Sequence, residues 1–127
     1  MAQKILMVDD DPVMHKLYHH HLEQAGYEMV SAANGNEALE VAQRELPDLI
    51  VMDVMMPKMD GLTALRQLKK TETTKAIPTI VITANANAYE ASRHESEASG
   101  AALFVTKPIS PHQLLAEIRR LLPSEKS

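Results

Sequence analysis

Short apolar segments alternate with longer amphipathic segments along the whole chain. The apolar segments are predicted to be strands, and they cover residues 4–8, 28–32, 49–52, 79–83 and 102–106. Between and after them, apolar residues recur at spacings of three and four, which predicts helices over 12–25, 36–45, 62–68, 88–99 and 110–122. Regular alternation of strand and helix predicts an α/β domain, in which helices cover both faces of a parallel sheet.

Residues that favour helix ends support these boundaries. Asp11 is suited to cap the first helix, and the missing N–H of Pro12 costs nothing at the first helical position. Asn36 is predicted to cap the second helix, which should stop before Pro47. Ser110 opens a capping-box pattern at the start of the last helix.

Length and composition fit one compact domain. The chain has 127 residues, of which 45% are hydrophobic and 24% are charged, enough to fill a core and cover it. We expect a single domain over residues 1–122, followed by a tail or truncated linker over 123–127. The chain has no cysteine, which excludes disulfides, thiolate zinc sites and cysteine nucleophiles.

Charge and hydropathy narrow the set of partners. The 13 basic and 17 acidic residues give a net charge of −4, which lacks the basic excess that binding to a phosphate backbone requires. We therefore expect no direct binding to nucleic acid. No secretory signal and no long apolar run is present, so the prediction is a cytoplasmic protein with no membrane span.

Polar residues follow four of the predicted strands. Asp9 and Asp10 end the first strand, Asp53 the third, Thr83 the fourth and Lys107 the fifth. Ligands of open α/β sheets bind beyond the carboxyl ends of the strands, so these side chains are predicted to meet there. Three clustered carboxylates repel one another unless a cation neutralises them, and their hard oxygen atoms suit Mg²⁺. One Mg²⁺ and one lysine would balance the charge.

This pattern resembles a known signalling domain. The order and spacing of the strand-end residues, together with three short motifs, are similar to those of the CheY-like receiver domain of two-component response regulators. The motifs are Asp53-Val-Met-Met-Pro57 with Asp60-Gly61, Thr83-Ala84, and Lys107-Pro108. The resemblance runs from Lys4 to Leu122, and it implies a flavodoxin-like, doubly wound sheet of five strands in the order 2-1-3-4-5 with five helices.

The resemblance also implies a phosphorylation site with a metal ion. Asp53 would accept a phosphoryl group from the phosphohistidine of a sensor histidine kinase or of a histidine phosphotransfer protein. Asp10, Asp53 and the backbone carbonyl of Met55 would bind Mg²⁺ directly, and Asp9 would act mainly through a coordinated water. Neutralising the oxygens of a transferred phosphoryl group is the main task of such a site.

Three further residues would carry the response to phosphorylation. By the resemblance, Lys107 and Thr83 would bind the phosphoryl oxygens, and movement of Thr83 would let the aromatic ring of Phe104 turn inward. The output surface would then be formed by the fourth predicted helix, the fifth strand and the last helix. We expect this surface to bind an unknown target or output domain, or a second copy of the chain.

Other functions on the same kind of fold fit the sequence less well. A haloacid dehalogenase-type phosphatase needs an acid two residues after its aspartate, and Met55 cannot donate a proton, so we expect slow self-dephosphorylation and no turnover enzyme. A flavin-binding module would need a phosphate-cradling loop after the first strand, where three consecutive aspartates, residues 9–11, would repel phosphate. A receiver that signals without phosphorylation would not need the complete set of site residues.

The histidines of the first helix offer an alternative metal site. His15 and His19 are four residues apart and could in principle chelate a transition metal. We instead predict that His15, His19 and His20 are solvated, and that His21 packs at the edge of the apolar stripe.

Overall fold

A computed structural model of the chain describes residues 2–53, 61–83, 100–106 and 109–122. Five strands lie in these ranges: β1 (Lys4–Val8), β2 (Glu28–Ala32), β3 (Leu49–Asp53), β4 (Thr79–Thr83) and β5 (Leu103–Thr106). The described residues also form four helices: α1 (Pro12–Gln24), α2 (Gly35–Glu45), α3 (Gly61–Lys70) and α4 (Pro111–Leu121). Helix α4 is the last of the five predicted helices. The helix predicted over 88–99 and the tail over 123–127 lie outside the described residues.

The strands form one parallel sheet in the order β2-β1-β3-β4-β5. This confirms the doubly wound arrangement that the resemblance implied. Val8 pairs with Met52, Asp53 with Ile82, and Thr83 with Thr106. The carboxyl ends of β1, β3, β4 and β5 therefore lie at nearly the same height along the strand direction. Residues that follow these strands therefore start from neighbouring positions along one edge of the sheet.

Helices cover both faces of the sheet. Leu6, Ile50 and Val81 face a cluster completed by buried residues of α2 and α3, and Ile5, Val51 and Ile80 face a second cluster completed by α1 and α4. Alternation of side chains across a strand produces this division. Among the described residues, no helix has both the length and the apolar character needed to cross a bilayer.

Local hydrogen bonds explain where the first two helices begin. The side chain of Asp11 accepts a hydrogen bond from the Val13 N–H at 2.9 Å, which confirms it as the cap of α1. The predicted cap of α2, Asn36, is wrong. Asn34 takes that role by accepting from the Glu37 N–H at 3.0 Å, while the Glu37 carboxylate accepts from the Ala33 N–H at 3.0 Å.

A lysine at the end of α3 contacts the segments that precede β4 and β5. Lys69 Nζ donates to the carbonyl oxygens of Lys75 at 3.1 Å and Ile77 at 2.7 Å, and burial lowers the pKa of its ammonium group. Gly100, just before β5, lies over this side chain: a Cβ atom at Gly100 would be 3.2 Å from Lys69 Cγ. Its φ of +101° is also a conformation that favours glycine.

This contact predicts unequal costs for two alanine substitutions. Gly26→Ala should lower the free energy of unfolding by about 1 to 2 kcal/mol, because Gly26 has a φ of +94° but open space around it. Gly100→Ala should cost more, because Lys69 is held by two hydrogen bonds and must also shift. Urea denaturation measures both values. Equal losses of unfolding free energy, or a difference that persists in a Lys69→Ala background, would contradict the proposed effect of the contact between Lys69 and Gly100.

Candidate functional site

The strand register brings three aspartates to one edge of the sheet. Asp9 and Asp10 follow β1 directly, and Asp53 is the last residue of β3. Val8 of β1 pairs with Met52 of β3, so the next residues, Asp9 and Asp53, are neighbours across the two strands. The position of Asp53 in a fully buried strand fixes its backbone firmly.

The three carboxylates form a compact group. One oxygen atom from each of Asp9, Asp10 and Asp53 lies within 4.8 Å of the others. Asp9 and Asp53 are only 4% and 6% exposed, whereas Asp10 is open to solvent. Three anionic oxygens at this spacing can share one divalent cation, and Mg²⁺ prefers such hard oxygen ligands while retaining several waters. The donor set therefore fits Mg²⁺.

Backbone hydrogen bonds orient the first of these aspartates. The Asp9 N–H donates to the Ala32 carbonyl at 3.1 Å, which extends the pairing of β1 with β2 by one residue. The Asp11 N–H then donates to Asp9 Oδ1 at 2.9 Å. Because Asp11 also caps α1, the amino end of that helix, with its partial positive charge, lies beside the acidic group.

His15 is also part of this surrounding structure. Its Nε2 lies 2.5 Å from the Asp9 carbonyl oxygen, which can only accept, so Nε2 carries the proton. The prediction that His15 is solvated is wrong, since it is half-buried, whereas His19 and His20 are exposed. The missed signal is helical phase: His15 shares the buried face of α1 with Tyr18 and Leu22, three and seven residues further on.

The remaining predicted residues are only partly covered by the structure. Thr83 ends β4, one residue beyond the partner of Asp53, and it pairs with Thr106 at the end of β5. Phe104 in β5 is half-buried and packs against the core cluster under α2 and α3. Met55 and Lys107 lie outside the described residues; Lys107 is the residue after Thr106 in sequence.

Comparison with known families agrees with this geometry. The model of the response regulator receiver domain matches residues 5–119, nearly the whole chain. The chain belongs to this family. It is therefore a receiver domain of the type found in two-component response regulators, as the sequence motifs indicated.

Individual relatives share the domain over most of its length. The chain is 37% identical over 122 residues to the alkaline phosphatase synthesis transcriptional regulatory protein PhoP of Bacillus subtilis, and 37% identical over 119 residues to the DNA-binding dual master transcriptional regulator RpaA of Synechocystis. These matches cover 96% and 94% of the chain but only 49% and 48% of the relatives. The chain thus spans about half the length of the curated relatives it matches.

A solved structure of another receiver domain shares the fold of this chain. The receiver domain of the sensor histidine kinase PA1611 from Pseudomonas aeruginosa has 31% identity, a TM-score of 0.86, and coverage of 98% of this chain and 100% of that one. That structure has a magnesium ion coordinated in its active site cleft.

The acidic group predicts how one aspartate affects stability and metal binding. Asp10→Asn should raise the free energy of unfolding without metal, because it removes one of three mutually repelling charges. The variant should also bind Mg²⁺ roughly tenfold more weakly or worse, since mutating even a residue that only hydrogen-bonds a metal ligand lowers metal affinity by that factor. Thermal unfolding at increasing Mg²⁺ concentration measures both effects.

Asp11→Asn is the matched control for this experiment. It removes the same charge one residue along the chain, and asparagine caps helices as well as aspartate does. We expect a Mg²⁺ affinity close to that of the unchanged protein. If the two variants bind Mg²⁺ equally well, the cluster of Asp9, Asp10 and Asp53 is not the metal site.

Proposed function

We propose that Asp53 is the phosphoryl acceptor of this receiver domain, and that the donor is the phosphohistidine of a histidine kinase or of a histidine phosphotransfer protein. The observation that carries the proposal is the nearly buried Asp53 carboxylate at the carboxyl edge of the sheet, with oxygens of Asp9 and Asp10 within 4.8 Å. Membership of the receiver family supports the same reaction.

The transfer exchanges one bond to phosphorus for another. A carboxylate oxygen of Asp53 attacks the phosphorus atom, a P–O bond forms, and the P–N bond to the donor imidazole breaks. The imidazole nitrogen takes the bonding electrons and accepts a proton from solvent, so that the donor leaves as neutral imidazole. Asp10, Asp53 and the Met55 carbonyl would hold Mg²⁺ directly, with Asp9 acting through water. When bound, Mg²⁺ supplies positive charge to the phosphoryl oxygens.

Lys107 and Thr83 complete the proposed binding site for the phosphoryl group. Thr83 ends β4 beside the strand of Asp53, and Lys107 follows the residue that pairs with Thr83. A lysine ammonium is a compact charge on a long stem, which suits it to reach a phosphoryl oxygen from the next strand. Both roles depend on the family pattern and on this register.

We also propose that the domain acts as a switch and not as a turnover enzyme. PhoP and RpaA are transcriptional regulators by name, and this chain matches about half of each, so the protein to which such a domain belongs can act on DNA through other parts. The acidic balance of the present chain supports a protein partner for the domain itself. Its predicted cytoplasmic location stays a prediction.

The acceptor role predicts a single, metal-dependent phosphorylation site. Incubation with acetyl phosphate and Mg²⁺ should add one phosphoryl group to the protein, and intact-mass spectrometry measures the gain. Asp53→Asn should abolish it, because the amide nitrogen and oxygen replace the nucleophilic carboxylate. Asp48→Asn is the control, since Asp48 is an exposed residue whose side chain accepts from the Lys4 N–H at 2.7 Å, away from the acidic group. A full gain in Asp53→Asn, or an undiminished gain in EDTA, would exclude this acceptor.

The proposed switch places Phe104 between the site and the output surface. Phosphorylation adds negative charge and oxygen acceptors at Asp53, which Thr83 and Lys107 can bind. Movement of Thr83 would open space beside β5 for the Phe104 ring. Phe104 lies in β5 and already contacts the core cluster on one face of the sheet, which suits a ring that couples the two regions.

Removing this ring should separate phosphorylation from its effect. Phe104→Ala should leave phosphorylation of Asp53 nearly unchanged. In the unchanged protein, NMR shifts on adding beryllofluoride should spread to residues 89–100; in Phe104→Ala they should stay near Asp9, Asp53 and Lys107. Leu103→Ala, which truncates the neighbouring side chain packed against the opposite cluster, is the control and should keep the spread. An equally wide spread in Phe104→Ala would contradict the switch.

A further inference from the structure

A buried tyrosine on α1 makes a contact that core packing does not require. Tyr18 is 3% exposed and packs in the cluster between the sheet and helices α1 and α4. Its hydroxyl donates to the Ile109 carbonyl oxygen at 3.3 Å, across 91 residues of sequence. A phenylalanine would fill the same volume, whereas a buried hydroxyl must find a partner to avoid a large desolvation cost. The hydroxyl thus marks Ile109 as a position that is held from α1.

Ile109 belongs to the short connection between β5 and α4. This connection follows Thr106, the last residue of the sheet, and ends at Ser110, the cap of α4. Ser110 and Gln113 bond each other reciprocally: the Ser110 N–H donates to the Gln113 side chain at 3.0 Å, and the Gln113 N–H donates to Ser110 Oγ at 3.1 Å. Ile109 directly precedes this cap, and its side chain packs against the core cluster between the sheet and helices α1 and α4. Lys107 lies two residues before Ile109 in the sequence. Residue 108 is proline, which has no N–H to donate.

We propose that Tyr18 is a positioning residue, whose hydroxyl fixes the connection that carries Lys107 and so fixes where the lysine ammonium meets the phosphoryl group. This inference rests on the proposed roles of Asp53 and Lys107. A lysine side chain has four flexible methylene groups, so its reach is useful only if the backbone from which it starts is held in place. Small displacements of a group that must meet a reacting centre reduce rates strongly.

A second contact from the same helix supports this role. His15, three residues before Tyr18 on the buried face of α1, bonds the Asp9 carbonyl through Nε2. Helix α1 thus holds backbone atoms next to both halves of the site: the acidic group after β1, and the lysine-bearing connection after β5. Because one helix makes both contacts, it can set the distance between the acidic group and the connection that carries Lys107.

Tyr18→Phe tests the hydroxyl without removing the ring. The rate of Asp53 phosphorylation by acetyl phosphate at saturating Mg²⁺ should fall roughly threefold to tenfold, the size expected for loss of one hydrogen bond. The Mg²⁺ dissociation constant should stay unchanged, because the acidic group is held by other bonds. Tyr27→Phe is the matched control: Tyr27 is half-buried and packs against the same core cluster as Tyr18, and its variant should react at the unchanged rate.

A double-mutant cycle with Lys107 shows whether Tyr18 acts through that residue. Lys107→Ala alone should slow phosphorylation, and adding Tyr18→Phe should then slow it no further, because the group being positioned is gone. The dissociation constant of beryllofluoride should follow the same pattern. A fall of equal size in the Lys107→Ala background, or a parallel loss of Mg²⁺ affinity, would show a general structural role and overturn the inference.

The remaining outcomes separate the inference from the proposed function. If Tyr18→Phe reacts as fast as the unchanged protein while Lys107→Ala is slow, only the role of Tyr18 is wrong. If the unchanged protein gains no phosphoryl group on Asp53, or if Lys107→Ala reacts at the full rate, the proposed function or the proposed role of Lys107 fails first, and the inference fails with it.

Discussion

Repulsion among the carboxylates of Asp9, Asp10 and Asp53 is the constraint around which this domain is built. Three negative charges with oxygens within 4.8 Å are unfavourable in a folded protein that has not bound a cation. The surrounding structure must therefore hold them in place. Strand β3 does so with five consecutive buried residues, and β1 with four. The acidic group is kept near solvent only at Asp10, where a cation can enter.

Helix α1 and its cap contact the surroundings of the acidic group through hydrogen bonds that each involve a backbone atom. Helix α1 presents its amino end to the acidic group, and its cap residue Asp11 bonds Asp9 through its own N–H. His15 and Tyr18 add hydrogen bonds to carbonyl oxygens after β1 and before α4. Each of these contacts has a backbone N–H or a backbone carbonyl as one partner, so together they hold the chain around the acidic group in place.

Much of this arrangement is predictable from sequence because it depends on local patterns. Apolar segments and cap residues locate the strands and most helix ends, and strand ends locate Asp9, Asp10 and Asp53. The order of the strands in the sheet depends on contacts between distant segments, and only the resemblance to receiver domains predicts it. Sequence alone does not locate the cap of α2, because Asn34 and Asn36 are equally good caps in isolation. The hydrogen bond from the Ala33 N–H to the Glu37 carboxylate favours Asn34. Contacts such as Tyr18 with Ile109 have no local signal, since they depend on how α1 packs against a distant connection.

A crystal structure of the full chain with Mg²⁺ and beryllofluoride tests the central claim most directly. Beryllofluoride imitates a phosphoryl group on a carboxylate, so the account predicts that it occupies Asp53, with Mg²⁺ bound by carboxylate oxygens of Asp10 and Asp53 and with the Lys107 ammonium against a fluorine. Beryllofluoride on another side chain, or Mg²⁺ bound away from Asp9, Asp10 and Asp53, would contradict it.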